Sequence, residues 1–141
     1  MPGRTALETR LAGLREELDV DLCVVNGENA ADGVGLTPKL ARKLFEFGAD
    51  AITLGNHAWR RPDLPPWIDS EPRVVRPANF SRHAPGRGLT IVRARDDTPV
   101  AVINVMGSLF LEVACGPFEV IDDLVDEARA QTPVIFVDMH A

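Results

Sequence analysis

Polar side chains that could bind a metal ion or transfer protons follow three apolar segments of the chain. Each segment is short, apolar and rich in β-branched residues, which predicts a buried strand. In open α/β sheets, ligands bind beyond the carboxyl ends of the strands, so polar groups at these ends meet along one rim. We therefore expect a cluster formed by Asn26, Glu28 and Asn29 after the first strand, Asn56 and His57 after the second, and Asp138 and His140 at the end of the last.

The chemistry of this cluster favours a divalent metal ion bound by oxygen and nitrogen. Carboxylate and amide oxygens are hard ligands and imidazole is intermediate, a mixture that suits manganese, ferrous iron or magnesium better than a thiolate-rich zinc site does. Two such ions about 3.5–4 Å apart can clamp a phosphate and prepare a water for attack. Gly27 and Gly55 have no side chains, which lets the backbone approach a metal ion or phosphate closely.

The first part of the chain predicts the elements that position this cluster. Thr37 and Pro38 suit the start of a helix and Gly48 suits its end. Residues 21–56 are therefore expected to form a strand, a helix and a parallel second strand, joined by a right-handed crossover. An amphipathic helix before this unit is indicated by leucines at one helical face, namely Leu7, Leu11, Leu14 and Leu18.

The later part of the chain predicts a loop, three strands and a helix. Prolines within residues 60–73 indicate a surface loop, with at most a short helical turn around Trp67 and Ile68. Residues 73–76 suit a short strand, and a tight turn at Asp96 and Asp97 joins two longer ones. An amphipathic helix with a face made of Phe118, Ile121, Leu124, Val125 and Ala128 precedes a final buried strand. The predicted fold class is α/β, with a parallel βαβ core and a mixed sheet.

Composition narrows the class of protein further. The 141 residues are 45% hydrophobic and 26% charged with a net charge of −6, which indicates one acidic globular domain. This charge argues against a general nucleic-acid or membrane-surface binder, which needs a basic face. No apolar run approaches the roughly 18 residues of a membrane span. Two cysteines in apolar and loop contexts predict neither a disulfide framework nor a zinc site, so a cytoplasmic location is expected.

Six segments, taken in order, resemble one bacterial family along essentially the whole chain. The segments are NGENAADGVGLTP, ITLGNHAW, EPRVVRPANF, PGRG, VINVMG and IFVDMHA. They are similar to the YmdB-like metallophosphoesterases, which are related to the calcineurin-like phosphoesterases. The resemblance implies a layered α/β sandwich and a phosphodiesterase that acts on 2′,3′-cyclic nucleotides. It also implies two divalent metal ions, with iron or manganese favoured over magnesium, and assembly into homo-oligomers.

The resemblance also implies a role for each matching residue. Glu28 corresponds to the carboxylate that bridges the metals, and Asn29 in the same loop is a candidate additional ligand. Asn56 is implied as a metal ligand through its amide oxygen, and His140 as a ligand from the last strand. His57 is implied to stand beside the phosphate, where it stabilises or protonates the leaving oxygen.

Three further residues are candidates for contact with the substrate phosphate. Arginine forks match the geometry of phosphate oxygens. Arg76, Asn79 and Arg87 lie in or next to the matching segments, and they could either bind phosphate or brace the loop that carries them.

Departures from the family pattern limit the expected activity. The family opens with a strand that ends in Gly-Asp-Val-Val-Gly and continues to a Gly-Thr-His-Thr-His segment. Neither the aspartate nor the two histidine ligands is present here, and Arg60 stands where the family usually has an acidic residue. The chain also begins in a helix and ends on an uncovered strand, so we expect residues 1–141 to be one partial domain, truncated at both ends.

A partial domain predicts weak metal binding and little or no hydrolysis of a cyclic nucleotide. The alternative to truncation is a complete small α/β domain. The alternative to an enzyme is a non-catalytic, degenerate fragment that acts in folding or oligomerisation, or a nucleotide-binding module whose binding ignores manganese and chelators.

Overall fold

The computed structural model describes residues 2–141, and the chain begins with a long, weakly packed helix. Helix α1 (Pro2–Glu17) contains no buried residue. Leu7 packs against the core, whereas Leu14 and Leu18 are exposed. The Arg15 guanidinium links α1 to the segment before the second strand. It lies 2.8 Å from a carboxylate oxygen of Asp50 and donates to the Gly48 carbonyl. The leucine spacing thus predicted the helix correctly, but only part of its apolar face is covered.

The predicted βαβ unit is present. Strand β1 (Val24–Asn26) and strand β2 (Ala51–Thr53) pair in parallel and are joined by helix α2 (Pro38–Glu46). The Thr37 hydroxyl accepts a hydrogen bond from the Leu40 amide at 3.2 Å, as expected for a helix cap. Gly48 ends the helix with a φ of +114°, which a side chain would strain.

The short turn and strand expected after the βαβ unit complete the first sheet. Helix α3 (Pro65–Ile68) is one turn long and follows the proline-rich loop. Strand β3 (Val74–Val75) then pairs in parallel with β2, giving the order β1-β2-β3. The Arg73 guanidinium, just before β3, lies over the ring of Phe45 in α2, with its central carbon 3.8 Å from the ring centroid.

A second, mixed sheet follows. Strands β4 (Leu89–Arg93) and β5 (Pro99–Met106) are antiparallel, and strand β6 (Ile135–His140) is parallel to β5. Helix α4 (Ile121–Arg129), preceded by a 3₁₀ turn (Pro117–Glu119), lies before β6. The two sheets join where the Arg76 amide donates to the Arg87 carbonyl and the Ala78 amide to the Asn104 carbonyl. The α/β fold class is therefore confirmed.

Apolar side chains fill the layers on both sides of the first sheet. Ile52, Leu54 and Val74 pack with α2 and α3, and Ala51 and Val75 face the second sheet. Ala101, Ile103 and Val105 of β5 pack with Ala128 of α4 in a further buried layer. These buried layers hold the strand ends in fixed positions relative to one another.

Two expectations about burial were wrong. Phe118 is 85% exposed, because it lies in the 3₁₀ turn and the apolar face of α4 starts at Ile121. The final strand is only half-buried, with Phe136 and Met139 exposed. Strand β6 is the last in the order β4-β5-β6, and within residues 2–141 no element covers its outer face. Across the same residues, no helix combines the length and apolarity needed to cross a bilayer.

The cap at Thr37 should contribute measurably to stability. Thr37→Ala removes the acceptor of the Leu40 amide, so we expect a loss of about 1 kcal/mol in the free energy of unfolding, measured by urea denaturation. Thr9→Ala, in an exposed turn of α1, is the matched control and should leave stability nearly unchanged. Equal midpoints for Thr37→Ala and the unmodified chain would contradict the capping role.

Candidate active site

The three predicted strand ends meet at one rim, as expected. The Asn26 side-chain amide, at the end of β1, donates to an Asp138 carboxylate oxygen of β6 at 3.3 Å and to the Leu54 carbonyl after β2 at 3.4 Å. Asn104 of β5 donates to the same two groups at 3.3 and 3.1 Å. These amides tie the rim of the first sheet to that of the second.

Glu28 is the buried centre of the rim, with 1% of its surface exposed. Its Oε1 accepts a hydrogen bond from the His57 backbone amide at 2.9 Å and lies 3.3 Å from His57 Nδ1. Its Oε2 lies 3.1 Å from His140 Nε2. A buried carboxylate is costly unless it is paired, and each oxygen of Glu28 here faces a different histidine.

His140 also contacts the side-chain amide of Asn56. Its Nε2 is 3.0 Å from Asn56 Oδ1, in addition to its contact with Glu28. An oxygen from the loop after β1 and an oxygen from the loop after β2 therefore both lie within 3.1 Å of one nitrogen of β6. We refer to Glu28, Asn56 and His140 as the donor cluster.

Gly55 leaves room for this convergence. A Cβ at this position would lie 2.5 Å from Glu28 Oε2 and 2.6 Å from His140 Nε2, closer than real Cβ atoms approach other groups. The glycine before Asn56 is therefore required by the packing of the donor cluster rather than by its backbone dihedral angles.

His57 lies beside the donor cluster and is held in one orientation. Its Nδ1 is 3.0 Å from Asn29 Oδ1 and 3.3 Å from Glu28 Oε1. Both neighbours are oxygen atoms, so Nδ1 is the ring nitrogen that contacts the rim. The other ring nitrogen, Nε2, is then the one left to exchange a proton, and 29% of the side chain is exposed to solvent.

The hydrogen bonds of Arg76 and Asn79 go to backbone groups and brace the neighbouring loops. The Arg76 guanidinium is buried and donates to backbone carbonyls, among them those of Pro77 at 2.9 Å and Pro85 at 3.2 Å. Burial lowers the pKa of Arg76, an effect that the nearby Asp69 carboxylate opposes. Asn79 is fully buried and exchanges hydrogen bonds of 2.6 and 2.9 Å with the Met106 backbone.

Arg87, the third candidate for phosphate contact, is exposed, and its backbone bridges to Val75. None of the three lies among the contacts of the donor cluster described above. A phosphate contact by Arg76, Asn79 or Arg87 stays a prediction.

A comparison with known proteins now identifies the family. The model of a family described as YmdB-like protein matches residues 1–141. The chain belongs to the YmdB-like family. Across 99% of its length it is 44% identical to a 2′,3′-cyclic-nucleotide 2′-phosphodiesterase from Bacillus subtilis. It is 33% identical to a putative phosphatase/phosphodiesterase from Mycoplasma pneumoniae, again over 99% of the chain.

Solved structures of this fold agree with the observed architecture. A hypothetical protein from Thermus thermophilus superposes with a TM-score of 0.88 at 35% identity, and a novel phosphatase from Mycoplasma pneumoniae with 0.84 at 31%; each match covers 99% of this chain. The chain spans about half the length of these relatives, namely 53% of the Bacillus protein and 50% of the Mycoplasma protein.

The side chains of the rim that could hold a metal ion in this YmdB-like chain include an amide as well as a carboxylate and an imidazole. Within residues 2–141, no group of three or more His, Cys, Asp and Glu side chains is arranged to hold a metal ion. The donor cluster instead combines one carboxylate and one imidazole with an amide oxygen. Two buried oxygens near the strand ends, Thr53 Oγ1 and Asn104 Oδ1, also have no partner within the described residues.

Asn104 is the site residue that sequence reasoning missed. It is fully buried near the carboxyl end of β5, and its amide joins Leu54, just after β2, to Asp138 of β6. The available signal was an amide within the apolar run VAVINVMG. Buried amides require hydrogen-bond partners, but the sequence does not indicate which partners these are.

Gly55→Ala tests the close packing of the donor cluster. The added methyl group must displace the Glu28 carboxylate or the His140 ring, so the imidazole NMR resonances of His140 should shift. Gly13→Ala in α1 is the control, because a Cβ at that position would have nothing within 4 Å outside the backbone of its own helix. His83, in an exposed loop, is the internal reference. Unshifted His140 resonances in Gly55→Ala would contradict the observed packing.

Proposed function

We propose that the rim formed by Glu28, Asn56, His57 and His140 is the metal-dependent active site of a phosphodiesterase. The observation that carries this proposal is the position of Glu28 Oε2 and Asn56 Oδ1, both within 3.1 Å of His140 Nε2. The substrate class we propose is a cyclic phosphodiester of the 2′,3′-cyclic nucleotide type. The activity for which the Bacillus relative is named, at 44% identity over this chain, supports that choice.

The donor cluster fits a divalent metal ion. Asn56 Oδ1 and Glu28 Oε2 lie 3.0 and 3.1 Å from His140 Nε2, so these three side chains would together hold a divalent ion through an amide oxygen, a carboxylate and an imidazole. Carboxylate, amide and imidazole donors suit manganese or ferrous iron, with magnesium a weaker match.

Glu28 is suited to bridge two metal ions. Its Oε2 lies 3.1 Å from His140 Nε2, whereas its Oε1 lies 3.3 Å from His57 Nδ1, which also contacts Asn29 Oδ1. The two carboxylate oxygens thus point toward different sets of donors. We propose that Glu28, Asn56 and His140 hold metal, with Asn29 as a further ligand on the Oε1 side.

The reaction needs an activated water and a proton for the leaving oxygen. When bound, the divalent ions supply charge stabilisation for the phosphate and lower the pKa of a bound water. His57 is positioned for the proton: Asn29 and Glu28 hold its Nδ1, so its Nε2 can donate to the leaving oxygen of the ribose.

Metal binding by this chain can be tested at single histidines. The chain contains three histidines, of which His57 and His140 lie at the rim and His83 in an exposed loop. Paramagnetic Mn²⁺ should broaden the imidazole resonances of the first two and spare those of His83. Asn56→Ala should weaken this effect at least about tenfold, because a ligand is lost. Gln131→Ala, another exposed amide, is the control and should change nothing.

Hydrolysis of 2′,3′-cyclic AMP, followed by ³¹P NMR, provides the test of activity. Any turnover by the chain should be slow, should require Mn²⁺ or Fe²⁺ and should be lost with excess chelator or in Glu28→Gln. Turnover that persists in chelator would contradict the metal-dependent mechanism. Nucleotide binding that ignores both Mn²⁺ and chelator, with no hydrolysis, would favour a nucleotide-binding module instead.

A further inference from the structure

A cavity of ≈ 570 Å³ opens directly beside the donor cluster. This volume lies within the range of about 300–1,000 Å³ that is typical of small-molecule sites. One wall comes from the segment that follows Asn56 and from the loop after β3, and the other from residues 110–114. We call it the aromatic cavity, and the lining residues that matter here are Asn56, Trp59, Arg60, Phe80, Phe110 and Glu112.

Asn56 belongs to both the donor cluster and the aromatic cavity. Its Oδ1 lies 3.0 Å from His140 Nε2, and the residue also lines the cavity wall. The aromatic cavity is therefore the space immediately next to a molecule bound at the donor cluster. The two sites share a border instead of lying at separate places on the surface.

Three aromatic rings surround the cavity. The Trp59 and Phe80 rings pack against each other with centroids 5.9 Å apart and planes tilted by 41°. Phe110 is 97% exposed and has a φ of +60°, a backbone conformation that is unusual for a bulky residue. Such conformations cluster at active sites and ligand-binding segments. An exposed ring at the edge of a cavity offers a face on which a flat ligand can stack.

The charges in the cavity favour a neutral ligand over a second phosphate. Arg60 and Glu112 carry opposite charges on the same cavity. An anion site would be expected to carry cationic donors without a carboxylate. Opposite charges instead provide a hydrogen-bond donor and an acceptor for the edge of a heterocycle, between aromatic rings that contact its faces.

We propose that the aromatic cavity is the subsite for the nucleobase of the substrate. This inference rests on the proposed function, because it places the phosphate of the same molecule at the donor cluster. Phe110 stacks on the base, Trp59 and Phe80 form the opposite apolar wall, and Arg60 and Glu112 bind the polar edge of the base. The subsite makes the protein selective for nucleoside phosphodiesters over phosphodiesters of small alcohols.

The fluorescence of Trp59 reports on this cavity. The chain has two tryptophans, so Trp67→Phe leaves Trp59 as the single tryptophan signal. This variant is titrated with adenosine and, separately, with ribose 5-phosphate, both in the presence of chelator. We expect adenosine to change the fluorescence in a saturable manner and ribose 5-phosphate to have no effect. Identical responses to the two probes would overturn the proposal.

Phe110→Ala, added to Trp67→Phe, tests the stacking contact. Stacking of a base on an aromatic side chain corresponds to a loss of about fivefold or more in affinity when the ring is removed. Phe118→Ala is the control, because Phe118 is also highly exposed but does not line the aromatic cavity. Unchanged adenosine affinity in Phe110→Ala would overturn the proposal. So would a change in mass by light scattering with unchanged affinity, which would assign Phe110 to self-association.

The adenosine titration tests the base subsite independently of the proposed phosphodiesterase activity. Adenosine carries no phosphate and the titration contains no metal, so this measurement does not depend on the donor cluster. Adenosine binding without metal-dependent hydrolysis would count against the phosphodiesterase alone. Metal-dependent hydrolysis of 2′,3′-cyclic AMP with no adenosine binding would count against the base subsite alone.

Discussion

The buried carboxylate of Glu28 is the constraint on which the arrangement of the rim depends. With 1% exposure it has lost nearly all contact with water, and the cost of burying a charge must be offset by specific partners. Those partners are the His57 amide and ring on one side and the His140 ring on the other. Three segments far apart in sequence are therefore required at one point.

The scaffold meets this requirement by linking two small sheets through side-chain amides. Asn26 and Asn104 both donate to the Leu54 carbonyl and to the Asp138 carboxylate, which fixes the end of β6 beside those of β1 and β2. His140 lies on an edge strand with an exposed outer face, and this link is what joins that strand to the rim of the first sheet. Rigid strand ends with polar residues just beyond them hold the side chains of the rim in fixed positions relative to one another.

Local signals in the sequence were sufficient for most of the elements. Thr37 and Gly48 mark the ends of α2 because capping and a positive φ are properties of a few neighbouring residues. The same reasoning was wrong about Phe118, because a periodic apolar pattern does not reveal where a 3₁₀ turn replaces the first turn of a helix. It also predicted full burial for β6, which depends on the layers above the strand and not on the residues of the strand.

The sequence by itself determined the family, the βαβ unit and the residues gathered at the rim, because each of these depends on short motifs and on the polarity of parallel strands. Only the tertiary structure decided which atoms meet. It placed His140 Nε2 beside both Glu28 and Asn56, assigned Asn104 to the link between the sheets, and brought Phe110 to the same cavity as Trp59. These pairings join residues up to 112 positions apart, and such contacts follow from how layers pack, which no local pattern of residue types specifies.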